Sequence, residues 1–129
     1  MMRRMLKSKL HRGTVTEANI DYEGSITIDA DLMERADILP YEEVHVLSVD
    51  NGARLTTYAI EGPRGSGVIC VNGAAARLIH KGHTVIILTY QTVDDAEAKH
   101  IHPTLCYLNK LNQIERVGHQ DRATVTLGV

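Results

Sequence analysis

The sequence predicts a mainly β fold, a barrel or sandwich joined by short helices. Three observations carry this reading. Nine short runs are rich in Val, Ile, Thr and Tyr and read as strands. Turn signals such as Asp50-Asn51-Gly52 and Gly62-Pro63 separate them. Phe and Trp are absent and the aromatics are five tyrosines, so the core must be aliphatic.

Taken in order, "RRMLKSKL" from Arg3 opens as a basic strand, and "GTVTEANI" from Gly13 follows. "SITID" begins at Ser25, just after a Gly24-Ser25 pair that local rules read as a turn. "DLMERA", Asp31 to Ala36, has the apolar spacing of a short helix and stops before Pro40. "EVHVLSV", "ARLTTYAI" and "GVICV" are the next strands. "NGAAARLIHKG" reads as a helix with Asn72 as N-cap and Gly82 as its C-terminal glycine. "TVIILTY" is a strand, "DDAEAKH" a helical turn or two, and "TLCYL" and "QIERV" close the series. No repeat or linker divides the 129 residues, so a single domain over 1–129 is expected. A domain of this size buries roughly two-thirds of its unfolded surface.

The net charge of −2 lacks the basic excess of a nucleic-acid binder. The charge is uneven: residues 1–24 carry +2 and residues 25–129 carry −4. The opening "MMRRMLKSKLHR" has no apolar run of a secretory signal, and no stretch reaches membrane-spanning length. A cytoplasmic protein with no membrane partner is the expectation. Cys70 and Cys106 show no C-x-x-C spacing and read as small core residues rather than a disulfide.

His80 and His83 are three apart and His100 and His102 two apart, but a metal site needs three or four converging ligands and neither pair has them nearby. "EGPRGSGV" matches neither a phosphate loop nor a nucleophile elbow. In "NGARLTTYAI", period-two alternation puts Arg54, Thr56 and Tyr58 on one face and Leu55, Thr57 and Ala59 on the other. An arginine and a tyrosine on one face suit a carboxylate and a proton donor, while on composition alone the face reads as a solvated one. The tiny residues of "VNGAAA" leave backbone N–H groups open to an anion, or simply pack a tight helix start.

Gly24-Ser25 has chemistry open to it. A serine hydroxyl can attack the preceding carbonyl and convert the peptide to an ester, provided the preceding residue is small and free, as glycine is, and a donor stabilises the oxyanion. Elimination and hydrolysis then leave a pyruvoyl group. A lone Gly-Ser pair carries almost no information, so its weight comes from its company.

That company is "KLHR" at 9–12, "YEGSITID" at 22–29, "NGARLTTYAI" at 51–60 and "ICVNGAAA" at 69–76. In order and spacing these motifs resemble those of the bacterial aspartate 1-decarboxylases, small pyruvoyl-dependent enzymes of pantothenate synthesis. Residues 91–129 carry no comparable motif. The resemblance implies a six-stranded double-psi β-barrel, a homotetramer with sites between neighbouring subunits, and cleavage between Gly24 and Ser25 into a 1–24 β chain and a 25–129 α chain. It implies a covalent pyruvoyl cofactor made from Ser25, with neither pyridoxal phosphate nor metal. L-Aspartate would join the pyruvoyl ketone through its amine and lose CO2 to give β-alanine. By the same resemblance Thr57 stabilises the cleavage oxyanion and touches substrate, Tyr58 donates a proton, and Arg54 holds the retained carboxylate with Lys9 nearby. Asn72, Gly73, Ala74 and Ala75 form the cradle, and His11 and Tyr22 line the site. The competing expectation is a barrel that binds an anionic metabolite or a protein and never cuts itself.

Overall fold

The computed structural model describes residues 1–120. Its strands are β1 (Met2–Thr14), β2 (Glu17–Asn19), β3 (Ile26–Asp29), β4 (Glu43–Ser48), β5 (Arg54–Gly62), β6 (Ile69–Asn72), β7 (Thr84–Asp94), β8 (Thr104–Leu108) and β9 (Ile114–Gly118). The helices are short: α1 (Ala30–Arg35), α2 (Asp95–Ala98) and a 3-10 helix at Gly73–Arg77. The mainly β class holds. The part of the single-domain expectation that covers residues 121–129 lies outside the described residues.

The strands form one hydrogen-bonded order, β2-β6-β3-β5-β4-β7-β1-β8-β9. The chain path makes this sheet curl. β1 and β2 are separated only by Val15 and Thr16, yet β1 pairs with β7 and β2 pairs with β6, at opposite ends of the β6-β3-β5-β4-β7 series. The junction itself spans the gap: Val15 N donates to His83 O (2.9 Å) and Thr16 N to Ile69 O (2.8 Å). Six strand paths therefore make a barrel-like body, and β8 and β9 extend it beyond β1.

The inward residues of this body are aliphatic, among them Leu10, Ile26, Ile28, Val44, Val46, Ile69, Val71, Val85 and Ile87. Each such side chain, fully buried, stabilises the fold by about 1.5–3 kcal/mol before entropy is counted. The period-two alternation of β4 is regular, with Val44, Val46 and Ser48 buried and their neighbours not. Cys70 and Cys106 are both buried free thiols, as their isolation in sequence suggested. No helix among the described residues is long and apolar enough to cross a membrane.

Asp29 ties three segments together. Its carboxylate caps α1 by accepting from Asp31 N (2.8 Å) and also accepts from Gly65 N (3.0 Å) and Gly67 N (2.8 Å) in the β5–β6 connection. Burial raises its pKa, but these N–H donors and the nearby Arg64 charge outweigh that and hold the carboxyl below its usual value.

Two local expectations change. The first strand is longer than "RRMLKSKL", because it follows β7 from Met2 to Thr14 with bulges between Leu6 and Ser8 and between Leu10 and Gly13. Arg12, within the second bulge, has φ +62°. The helix expected from Asn72 to Gly82 is only the 3-10 segment Gly73–Arg77, and Asn72 makes no side-chain cap. Its amide is drawn instead to hydroxyls on β3, so tertiary partners displace the local cap. Gly82 lies in the turn before β7, where its N–H donates to Val15 O (2.8 Å).

Candidate active site

The site grows from the position of β3. This strand runs parallel to β5 and antiparallel to β6, with Ile26 opposite Ala59 on one side and Val71 on the other. One step back along the chain, Ser25 lies opposite Asn72, whose N–H donates to Ser25 O at 2.9 Å. One step further, Gly24 comes to Thr57, whose Oγ1 donates to Gly24 O at 3.5 Å. Ser25 is 3% exposed. Its Oγ donates to Glu23 O (3.2 Å) and accepts from Asn72 Nδ2 (3.1 Å).

Gly73 permits this closeness. It has φ +72°, and a Cβ there would lie 2.7 Å from Gly24 Cα, 2.8 Å from Gly24 N and 3.0 Å from Tyr22 O. Only glycine lets the Tyr22–Gly24 segment lie against the start of the 3-10 helix. A Cβ on Gly24 itself would meet nothing within 4 Å, so packing against neighbours does not dictate glycine there. Around this centre, the Tyr22 side chain and Ala74 are exposed and Ala75 is half-buried.

Asn72 is held on its far side by two residues that sequence reasoning did not select. Its Nδ2 also donates to Thr27 Oγ1 (3.0 Å), and its Oδ1 accepts from Cys70 Sγ (3.1 Å). Burial, and then the charge of Glu17, push the Cys70 thiol's pKa up. The signal that would have found them is period-two spacing, Ser25 with Thr27 and Cys70 with Asn72, but only the register shows that the two pairs face each other.

The remaining expected residues sit elsewhere on the chain. Strand alternation along β5 places Arg54, Thr56 and Tyr58 opposite Thr57, as expected. Arg54 is exposed, and Tyr58 stacks on Tyr41 with ring centroids 6.0 Å apart. Among the described residues neither Arg54 nor Tyr58 hydrogen-bonds to Gly24 or Ser25. Lys9 and His11 lie on β1, which in the sheet order does not neighbour β3. His11 packs edge-on against Tyr107 at 5.4 Å, and Arg116 lies over the same tyrosine at 4.7 Å.

The histidine pairs serve turns. His83 Nδ1 accepts from His80 N (3.2 Å) and lies 3.3 Å from Ser48 Oγ, while His100 N donates to Glu97 O (2.9 Å). Among the described residues no group of three or more His, Cys, Asp or Glu side chains gathers as a metal site.

A buried serine, a donor on the carbonyl before it and a glycine-lined approach are together what an intramolecular acyl shift needs. The sequence model of a family described as aspartate decarboxylase matches residues 1–115. The chain belongs to the aspartate decarboxylase family. It is 55% identical over 126 residues to an aspartate 1-decarboxylase of Heliobacterium modesticaldum, covering 98% of this chain and 96% of the relative. It is 58% identical over 113 residues to an aspartate 1-decarboxylase of Dehalococcoides mccartyi, covering 88% and 91%. A third aspartate 1-decarboxylase, from Thermoanaerobacter pseudethanolicus, is also 58% identical over 113 residues, covering 88% and 97%. The aspartate decarboxylase match includes Ser25 and every residue placed around it above.

Proposed function

We propose that this chain is the precursor of a pyruvoyl-dependent aspartate 1-decarboxylase, which cuts itself between Gly24 and Ser25 and then converts L-aspartate to β-alanine and CO2. The observation that carries the reading is the Thr57 Oγ1 donor on Gly24 O, 3.5 Å away, beside a buried serine hydroxyl. The names of the relatives supply the reaction.

Cleavage follows from these atoms. Ser25 Oγ attacks the Gly24 carbonyl carbon, and the carbonyl oxygen takes up negative charge, which the Thr57 hydroxyl stabilises. Collapse breaks the C–N bond, the nitrogen takes up the proton that the hydroxyl gave up, and Gly24 is left esterified to Ser25 Oγ with the Ser25 amine free. Loss of the Ser25 Cα proton expels the Gly24 carboxylate and leaves a dehydroalanine. Water hydrolyses it, releasing ammonia and leaving a pyruvoyl group at the head of the 25–129 piece. Asn72 Nδ2 and the absence of a Cβ on Gly73, where the Gly24 backbone lies before the cut, fit a small group at this position.

The pyruvoyl ketone supplies the electron sink that decarboxylation needs. The chain's own side chains supply the rest. Arg54 holds the carboxylate that is kept, by paired charged hydrogen bonds, with Lys9 as a second cation. Tyr58 carries the proton for Cα. The backbone of Gly73, Ala74 and Ala75 cradles substrate, and His11 and Tyr22 line the site. Arg54 and Tyr58 project from the face of β5 opposite Thr57, so they would serve the Ser25 of a neighbouring copy. This placement fits sites shared between copies; the homotetramer, and the place of a single-domain enzyme in cytoplasmic pantothenate synthesis, follow from the family resemblance.

Mass spectrometry of the purified protein tests the reading. Two pieces are expected, split before residue 25, with the larger lacking a free amine. β-Alanine should form from aspartate in the same sample. Only intact chain after prolonged incubation would sink the proposal.

A further inference from the structure

Cys70 is 5% exposed and takes no part in the steps above. Its surroundings follow from register. Thr27 lies opposite Cys70, and Ile26 opposite Val71. Asn72 N donates to Ser25 O. The pleat then gathers Cys70, Asn72, Thr27 and Ser25 on one face.

The Asn72 amide has one acceptor oxygen and two donor hydrogens, and three polar neighbours. A half-turn of the amide would exchange its oxygen and nitrogen among them. Ser25 decides between the two arrangements. Its single proton is directed to Glu23 O at 3.2 Å, so toward Asn72 it can only accept. The amide nitrogen must therefore face Ser25 and Thr27, and the oxygen must face Cys70. That arrangement requires a donor at position 70. The thiol is one as long as it keeps its proton, and its raised pKa favours that. With a flipped amide, Oδ1 would draw the Ser25 proton away from Glu23 and swing the Oγ lone pairs that have to reach the Gly24 carbon.

We infer that Cys70, by donating its Sγ–H to Asn72 Oδ1, is a positioning residue for self-cleavage: it holds the Asn72 amide in the orientation that presents Nδ2 to Ser25 Oγ. This rests on the processing reading given above.

The test compares Cys70→Ser, which keeps a donor, with Cys70→Val, which fills the space without one. Appearance of the two pieces is followed by mass spectrometry in freshly purified chains. Cys70→Ser should cut within about twofold of the parent, and Cys70→Val about tenfold more slowly, the effect of one hydrogen bond. Both variants should unfold cooperatively well above the assay temperature, so that slower cutting by Cys70→Val is not a loss of fold. Equal cutting by Cys70→Val overturns the inference, as does an equal loss in both variants, which would mean packing rather than donation.

A parent chain that stays intact would sink the processing reading instead. A second arm keeps the two apart by using slow-cutting Thr57→Val protein, which keeps the Ser25 hydroxyl that the Asn72 amide faces. There the side-chain NH2 signals of Asn72, followed by NMR, should exchange with solvent about tenfold faster with Cys70→Val than with Cys70→Ser, again one hydrogen bond's worth. Identical exchange overturns the inference whether or not the parent is cut.

Discussion

Thr57 Oγ1 reaches Gly24 O across the parallel β3–β5 pair, 3.5 Å away and 33 positions distant in sequence. The contact falls on the carbonyl that acquires charge when Ser25 attacks. Thr57→Val keeps the shape and β-branching and removes the donor. Removing one oxyanion donor typically costs about 100- to 1,000-fold in rate. Cleavage of Thr57→Val should slow by that order in a mass-spectrometric time course, and Thr57→Ser should remain within about tenfold of the parent, since a hydroxyl is kept but held less firmly.

Gly73 and Gly52 make a matched pair. Both have positive φ, +72° and +75°, but a Cβ at Gly73 meets Gly24 backbone at 2.7 Å while one at Gly52 meets nothing within 4 Å. Each alanine pays the backbone penalty, about 1–3 kcal/mol. Only Gly73→Ala also displaces the bond to be cut. The expected outcome is lower melting temperatures for both, with cleavage lost in Gly73→Ala and retained in Gly52→Ala.

Arg54 should matter for turnover and not for processing. It is exposed on the face of β5 opposite Thr57. Arg54→Ala should cut normally, while kcat/KM for aspartate falls about 10- to 150-fold, the range of a hydrogen bond to a charged group. Co-expression with uncut Ser25→Ala gives a sharper readout. If sites are shared between copies, mixed oligomers should recover activity that neither variant has alone, and strictly additive activities would refute sharing.

Asp29 makes stability depend on acid. Its carboxyl is held below the ordinary value of 3.8 in the folded chain by the Gly67, Asp31 and Gly65 N–H groups and Arg64, against the opposing effect of burial. A carboxyl whose folded pKa is depressed stabilises the fold above its unfolded pKa and loses that contribution as pH falls through the folded one. The melting temperature should therefore drop as pH is lowered from about 5 toward 3. Asp29→Asn should be less stable at neutral pH and show a flatter acid limb.

Much of this was readable in the chain. The alternation of Arg54 to Ala59 needs only a strand, and the strand formed, so Thr57 and Tyr58 were correctly placed on opposite faces. Asn72 was misread, because an asparagine before glycine and three alanines satisfies every local rule for a helix cap. Hydroxyls at positions 25 and 27 outcompete that cap, and their distance along the chain hides them. Thr27 and Asp29 are hidden for the same reason, since each meets partners more than 30 residues away, and Cys70 lies two residues from Asn72 but gains its meaning only when strand register brings Ser25 and Thr27 to that amide. The bulge at Arg12 likewise shows only in the pairing of β1 with β7, more than 70 positions along the chain.

The path of β1 and β2 has one more consequence. Both strands belong to residues 1–24, where β1 pairs with β7 and β8 and β2 pairs with β6. Leu10 and Val15, from the same segment, are buried in the core. Cutting before Ser25 would leave the body intact and turn it into a complex of two polypeptides, held by the strand pairs that one chain assembled. Heated until it opens, the cut form would have to find its missing strand by collision, at whatever concentration the tube provides, in place of the high effective concentration a tether gives. The strand structure of uncut chains should return on cooling regardless of dilution, and that of the mature protein should not. The chain would fold once as a single thread and afterwards persist as a matched pair.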